Sequence, residues 1–238
     1  MTMTRTIAIT GASRGIGRAA VDALASDGWT VIGIARRKPS HFPGTFMEAD
    51  LADREQTEAV ARDLVAHRHV LGIANNVGAA RHETIDAVYP EAFTAVMDLN
   101  VRPALQLTQA LLPGMRAAGF GRIINITSLV TRGLAYRSSY AAAKAALESI
   151  TRTMAVELAA DGITANAITP GPTETELFRA NNPQGGEGKA RYLTRVPMRR
   201  FAHPSEIAGA IAFLAGTGAA YITGQTLFVD GGASLGSL

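Results

Sequence analysis

The sequence predicts an α/β fold: a single domain built on one doubly wound, seven-stranded parallel sheet with helices on both faces. Three observations predict it. Short apolar runs rich in Ile, Val and Thr alternate with longer helical patterns along the 238 residues. The first apolar run passes straight into a glycine turn and then a helix, IAITGASRGIG at 7–17. The chain is 47% hydrophobic with 24 glycines, a composition that suits a protein burying a sizeable core.

Thr6–Thr10 reads as the first strand, Gly15–Asp27 as the helix after it and Thr30–Ala35 as the second strand. Lys38–Thr45 is too short and too Pro-rich for a helix before the third strand, Phe46–Ala49. A helix at Arg54–Ala66 and a fourth strand at Leu71–Asn75 follow. Glu91–Ala117 carries a long helical pattern, with interruptions expected near Pro103 and Pro113 because proline cannot donate to the helix ladder. Gly121–Thr127 is the fifth strand, Tyr140–Ala160 a helix with an apolar face, Ile163–Ile168 the sixth strand and Thr226–Val229 the seventh. There is no internal repeat and no interdomain linker, so residues 1–238 read as one domain. The loop-like NNPQGGEG at 181–188 predicts a lid over about 176–197.

Composition excludes several classes. Without cysteine there is neither a disulfide nor a thiolate metal site. The start, MTMTRTIAIT, reads as a strand rather than a signal peptide, and no apolar run is long enough to span a bilayer. A cytoplasmic protein without a membrane partner is expected. The net charge of +3 is mild, and the basic residues are scattered apart from Arg36-Arg37-Lys38 and Arg199-Arg200. No nucleic-acid footprint is expected; a small anionic molecule is the more economical partner. His41, His67, His69, His82 and His203 show no metal-ligand spacing beyond His67-x-His69, so no metal site is expected.

The glycine turn is the first candidate site. Gly11, Gly15 and Gly17 let the chain turn tightly and let backbone N–H groups approach a pyrophosphate, and the helix N-terminus adds partial positive charge. A dinucleotide's 2′ position meets the end of the second strand, where an NAD site places a carboxylate. This chain has Arg36 and Arg37 there, with Arg14 in the turn, and guanidinium forks suit a 2′-phosphate. NADP(H) is therefore expected over NAD(H), with NAD(H) still possible.

The second candidate site is Tyr140 and Lys144 in SYAAAKAAL, on one helix face at i and i+4. Unperturbed, the two titrate near ~10 and ~10.4, too high for proton chemistry at neutral pH. A cation beside a phenol favours the phenolate, so the pair suits a general acid/base.

With these pieces in order the chain resembles the short-chain dehydrogenase/reductase superfamily, classical type, and within it the 3-oxoacyl-carrier-protein reductases. The resemblance runs from about Thr6 to Gly232 through TGASRGIG at 10–17, Asp50-Leu51, NNVG at 75–78, Asn100, Ser128, Tyr140-x-x-x-Lys144, Pro170-Gly171 and ITGQTLFVDGG at 222–232. It implies a Rossmann-type fold and hydride transfer between the cofactor and a ketone/secondary-alcohol pair. It implies that Gly11, Ser13, Arg14, Gly15, Ile16 and Gly17 hold phosphates and that Asp50 and Leu51 flank the adenine. Asn75 and Gly78 are expected on the adenosine-ribose side, and Pro170, Gly171, Thr173 and Thr175 around the carboxamide. Ser128 would bond the substrate carbonyl, Tyr140 would move the proton, Lys144 would bind the ribose and lower the Tyr140 pKa, and Asn100 would support a proton-conducting water. It also implies a homodimer or homotetramer in which Glu91–Ala117 and Tyr140–Ala160 pair between subunits through small residues such as Ala141, Ala145 and Ala155.

There are departures from the family pattern. Val77 replaces the usual Ala, and the Ser128–Tyr140 segment is about a residue short. The approaches to the fifth and sixth strands read Ala118-Gly119-Phe120-Gly121 and Ala159-Ala160-Asp161-Gly162, without the cations expected of members that bind an acidic carrier. A free small-molecule carbonyl or alcohol is therefore the expected substrate. Arg81, Arg132, Tyr136 and Arg137 are expected to rim the pocket, with Phe178, Arg179, Lys189 and Arg191 on the lid. The alternatives are an NAD(P)-dependent alcohol or cyclic-diol dehydrogenase, a carrier-bound 3-oxoacyl reductase, and, outside enzymes, a cofactor-binding regulator.

Overall fold

In TIAIT every residue is buried, as a central parallel strand covered on both faces requires. The computed structural model describes residues 5–67, 69–181 and 193–236. Its strands are β1 (Thr6–Thr10), β2 (Thr30–Ala35), β3 (Thr45–Glu48), β4 (Val70–Asn75), β5 (Gly121–Ile126), β6 (Ile163–Pro170) and β7 (Thr226–Val229). They form one seven-stranded sheet in the order β3-β2-β1-β4-β5-β6-β7, with every neighbouring pair parallel. The order reverses between β1 and β4, and the crevice beyond the carboxyl ends of those strands is where such sheets bind ligands.

The helices are α1 (Gly15–Ser26), α2 (Arg54–Ala66), α3 (Pro90–Ala118), α4 (Ser138–Leu158), α5 (Glu176–Asn181) and α6 (Pro204–Ala215). Side chains alternate across the sheet and make two cores. Ile7 and Ile9 pack with Val21, Leu24, Ile207 and Ile211 of α1 and α6. Ala8 and Ile32 face the opposite layer, with Leu64, Leu107, Leu111 and Leu158 of α2, α3 and α4.

Three features differ from the sequence expectation. α3 runs unbroken for 29 residues through Pro103 and Pro113. α6 was not anticipated, although His203 and Glu206 form a capping box ahead of it, with Pro204 in its first turn. Ala155 is buried in the core under α4 rather than presented on a free helix face, so it cannot meet a second subunit. The stretch after β2 does lack a helix, and Phe42 and Phe46 fill the space edge to face at 4.9 Å beside α1.

Polar side chains fix the layers where the crevice opens. Asn75 Nδ2 donates to Asn125 Oδ1 (2.8 Å), and Asn125 Nδ2 donates to Thr151 Oγ1 (2.8 Å), tying β4 to β5 and β5 to α4. Such fully buried bonds are expensive to leave unmade and so specify register. Residues 182–192, which hold most of NNPQGGEG together with Lys189 and Arg191, lie outside the described residues.

Candidate active site

The glycine turn is sewn to the end of β2. Gly11 N–H donates to the Ile34 carbonyl at 2.8 Å and Ala12 N–H to the same oxygen at 3.3 Å. A Cβ on Gly17 would collide with the Gly11 carbonyl oxygen, so this closeness of turn and helix requires glycine. Ser13 is partly buried in the turn, and Arg14 occupies the N-cap of α1 in extended conformation. Arg14, Arg36 and Arg37 are all exposed, and none has an ion-pair partner among the described residues. A glycine cradle at a helix N-terminus with three free guanidinium groups fits a phosphorylated dinucleotide.

Asp50 and Leu51 form the next corner. Asp50 N–H donates to Gln56 Oε1 at 2.8 Å, and the Leu51 carbonyl accepts from Arg102 Nη2 at 2.8 Å. Arg102 also holds Asp98 at 2.9 Å, so a cation on α3 anchors this corner. Nothing in its spacing reveals that role, since the contact crosses 51 residues of chain.

In NNVG the structure separates the two asparagines. Asn75 turns its amide into the sheet toward Asn125, whereas Asn76 lines the cleft and donates to the Thr10 carbonyl at 3.1 Å. Thr10 Oγ1 accepts both the Asn76 and Val77 N–H groups at 2.9 Å, pinning this loop to the end of β1. Gly78 lines the cleft as expected, and a Cβ there would strike Asn100 Oδ1 and approach Lys144 Nζ to 3.3 Å.

A cleft of about 340 Å³ opens beyond the carboxyl ends of β5 and β6. Ile16, Pro170, Gly171, Thr173 and Thr175 line one side of it, and Ser128, Tyr140 and Lys144 another. Asn100 sits behind Gly78. Its Nδ2 donates to the Ala79 (3.0 Å) and Val96 (2.8 Å) carbonyls, while its buried Oδ1 has no donor among the described residues. Ser128 caps a 3-10 turn, accepting the Val130 N–H at 3.4 Å.

Burial pushes the Tyr140 phenol up to about 12, against a downward pull from its hydrogen bond with Ser128 and from the Arg137 charge. Burial draws Lys144 down to about 8. Its Nζ donates to the Ile126 carbonyl at 2.8 Å and lies 5.6 Å from the Tyr140 ring centroid. The downward pull on the phenol comes from Ser128 and Arg137, while the lysine's ammonium donates to a backbone carbonyl.

Of the expected rim, Arg132, Arg137 and Phe178 line the cleft, joined by Arg195, which the sequence reading did not single out. Arg81 instead pairs with Glu83 at 3.5 Å, Arg179 pairs with Glu174 at 3.4 Å, and Tyr136 stacks on His82 with centroids 5.0 Å apart.

A doubly wound parallel sheet, a glycine cradle at its first crossover and a Ser–Tyr–Lys cluster at the carboxyl ends of its strands define a dinucleotide-binding α/β oxidoreductase. Residues 11–234 match the family model described as enoyl-(acyl carrier protein) reductase. The 3-oxoacyl-[acyl-carrier-protein] reductase of Vibrio cholerae is 38% identical over 234 residues, covering 94% of this chain and 95% of that protein. Among solved structures, a gluconate 5-dehydrogenase from Burkholderia cenocepacia in complex with NADP and tartrate superposes with a TM-score of 0.90. It is 32% identical and covers 98% of this chain and 96% of that one. An aldohexose dehydrogenase from Thermoplasma acidophilum superposes at 0.91, with 26% identity over 98% of this chain and 95% of that one. The chain belongs to the short-chain dehydrogenase/reductase family of oxidoreductases. Among the described residues, no helix is long and apolar enough to cross a membrane.

Proposed function

We propose that the protein is an NADP(H)-dependent carbonyl reductase that converts a free small-molecule ketone to a secondary alcohol, with Tyr140 as the proton donor. The observation that carries this reading is the convergence of Ser128, Tyr140 and Lys144 on one cleft beside the glycine cradle. A nicotinamide coenzyme held at the glycine cradle and by Pro170, Gly171, Thr173 and Thr175 would supply the hydride to the carbonyl carbon. Tyr140 transfers its phenolic proton to the carbonyl oxygen while the Ser128 hydroxyl stabilises the charge developing there. Lys144 and Asn100 sit behind the phenol, on the side of Gly78. A phenol raised to about 12 carries its proton at neutral pH, the form a general acid needs. Asp50, Leu51 and Asn76 are assigned to the adenosine end, with Asn76 taking the place expected of Asn75. The enzyme is proposed to work as a cytoplasmic homo-oligomer built through the exposed faces of α3 and α4.

The coenzyme preference rests on Arg14, Arg36 and Arg37. Steady-state rates with both coenzymes test it: NADPH is expected to exceed NADH in kcat/KM by at least ~10-fold. Arg36→Ala/Arg37→Ala should lower that ratio by ~10- to 100-fold with little change for NADH. Comparable efficiency of NADPH and NADH in the wild type removes the preference.

The curated relatives named as carrier-protein reductases favour a second reading, a carrier-bound acyl substrate. Against it, Arg116, a cation near these approaches, is paired with Asp161 at 2.8 Å, which reduces its availability to an acidic partner. Free carbonyl compounds are expected to outperform carrier-bound 3-oxoacyl chains; a higher kcat/KM on the carrier-bound chain would establish the second reading.

A further inference from the structure

Among the described residues, Arg132, Arg137, Lys144 and Arg195 line the catalytic cleft, and no Asp or Glu does. The phosphate cradle with Arg14, Arg36 and Arg37 lies at the other end of the crevice, so these arginines serve something else.

Arg137 is the most informative of them. It holds the N-cap of α4, three residues ahead of Tyr140, and its side chain is almost buried, the residue being only 6% exposed. A guanidinium carries five N–H donors, and burying one without a counter-charge is costly. Its one side-chain bond among the described residues runs from Nη1 to the Tyr136 carbonyl at 3.0 Å.

Several other arginines in this fold are matched. Arg102 has Asp98, Arg116 has Asp161 and Arg200 has Glu206. Arg122, also buried, lies 4.1 Å from the Phe120 ring centroid. Among the described residues Arg137 has neither an ion-pair partner nor a ring beneath it. Glu83, whose backbone bridges to Arg137, accepts the Ser139 N–H at 2.9 Å through Oε1 and meets Arg81 at 3.5 Å through Oε2, which has no hydrogen-bond partner among the described residues; Glu148 accepts from Thr131 at 3.0 Å.

The backbone is bent to place it. Tyr136 adopts φ +65°, a left-handed conformation rare for an aromatic residue, and its ring is braced by stacking on His82. Strain of this kind collects at ligand clamps. The Arg137 charge is also felt at the Tyr140 phenol, which places it close to the reacting group.

We propose that Arg137, assisted by the exposed Arg132 and Arg195, receives a carboxylate of the substrate, so that the enzyme's substrate is a carbonyl compound bearing a free carboxylic acid. This rests on the carbonyl-reductase reading and names its substrate class. A planar fork opposite a carboxylate gives a bidentate, charge-assisted pair and fixes how far the carbonyl sits from Tyr140. Leu129, Val130, Leu134 and Phe178 supply apolar walls for the chain between the two groups.

The test uses the full-length enzyme with NADPH and a series of oxo acids whose carbonyl stands two to five carbons from the carboxylate. Each acid is paired with its primary amide. The best acid is expected to exceed its amide in kcat/KM by ~10- to 100-fold. Arg137→Gln should erase that advantage by raising KM for the acid ~10-fold or more beyond any change it causes for the paired amide, with NADPH binding unchanged. Competitive inhibition by tartrate, a dicarboxylate without a carbonyl, should weaken ~10-fold or more in the same variant. Equal turnover of acid and amide by the wild type overturns the proposal, as does an equal loss on both in Arg137→Gln. Tyr140-dependent turnover confined to the amides overturns this inference alone. Failure of both series, with Tyr140→Phe indistinguishable from wild type, overturns the carbonyl-reductase reading with it.

Discussion

Tyr140→Phe is expected to lower carbonyl reduction by at least ~1000-fold while leaving NADPH affinity within about twofold of wild type. The substitution removes one oxygen and keeps the ring, so α4 and the cleft wall that Tyr140 forms stay in place. What is lost is the only phenol among the described cleft-lining residues. Ser128 remains able to bond the carbonyl oxygen, but its hydroxyl is far less acidic than a phenol and a poor proton donor at neutral pH. Neutral burial argues the same way. A phenol held at about 12 keeps its proton until it meets a more basic oxygen, the alkoxide forming under hydride attack. Rates and coenzyme titration on the same preparation decide it, and near-normal turnover with intact binding would refute the mechanism.

Much of this was legible in the sequence, for a definite reason. Parallel strands buried on both faces read as continuous β-branched runs, so TIAIT, TVIGIA and GRIINI announce themselves within a residue or two of their observed limits. The glycine turn and the Tyr140–Lys144 pair are local, and local chemistry survives in linear order. What failed was environmental. PSEIAGAIAFLA buries Ile207, Ala208, Ile211, Ala212, Leu214 and Ala215, which leaves too little polar surface for a clear amphipathic stripe, though its capping box was there to be read. The two asparagines of NNVG differ only in which way a strand end points them, and no pattern in one chain separates Asn75 from Asn76. Loop arginines are likewise indistinguishable on paper: Arg81 finds Glu83 in space, and Arg137 pairs with no carboxylate among the described residues.

Lys144→Met is expected to abolish turnover and to stabilise the protein when no coenzyme is present. Lys144 is 2% exposed, and its Nζ meets one carbonyl, that of Ile126. Burial has drawn its pKa from 10.5 to about 8, which corresponds to about 3 kcal/mol of desolvation cost in the folded state. The sign follows from proton counting. Below pH 8 the lysine is protonated in both states and the full cost is present. Between pH 8 and 10.5 the unfolded chain binds more protons than the folded one, so stability rises with pH through that window; above it both states are neutral. Tyr140, raised to about 12, acts oppositely between its unfolded value of 10 and 12, and stability falls there. Methionine fills the stem's volume without the charge and forfeits one hydrogen bond worth about 1 kcal/mol. At pH 7 a net gain of about 2 kcal/mol should raise Tm by ~4–8 °C, and the difference between variant and wild type should shrink as pH climbs from 8 to 10.5. Thermal denaturation across that range measures it. A Tm below wild type at pH 7, or a difference independent of pH, would show that the ammonium is stabilised in the fold, and that stability is not given up at this position for catalysis.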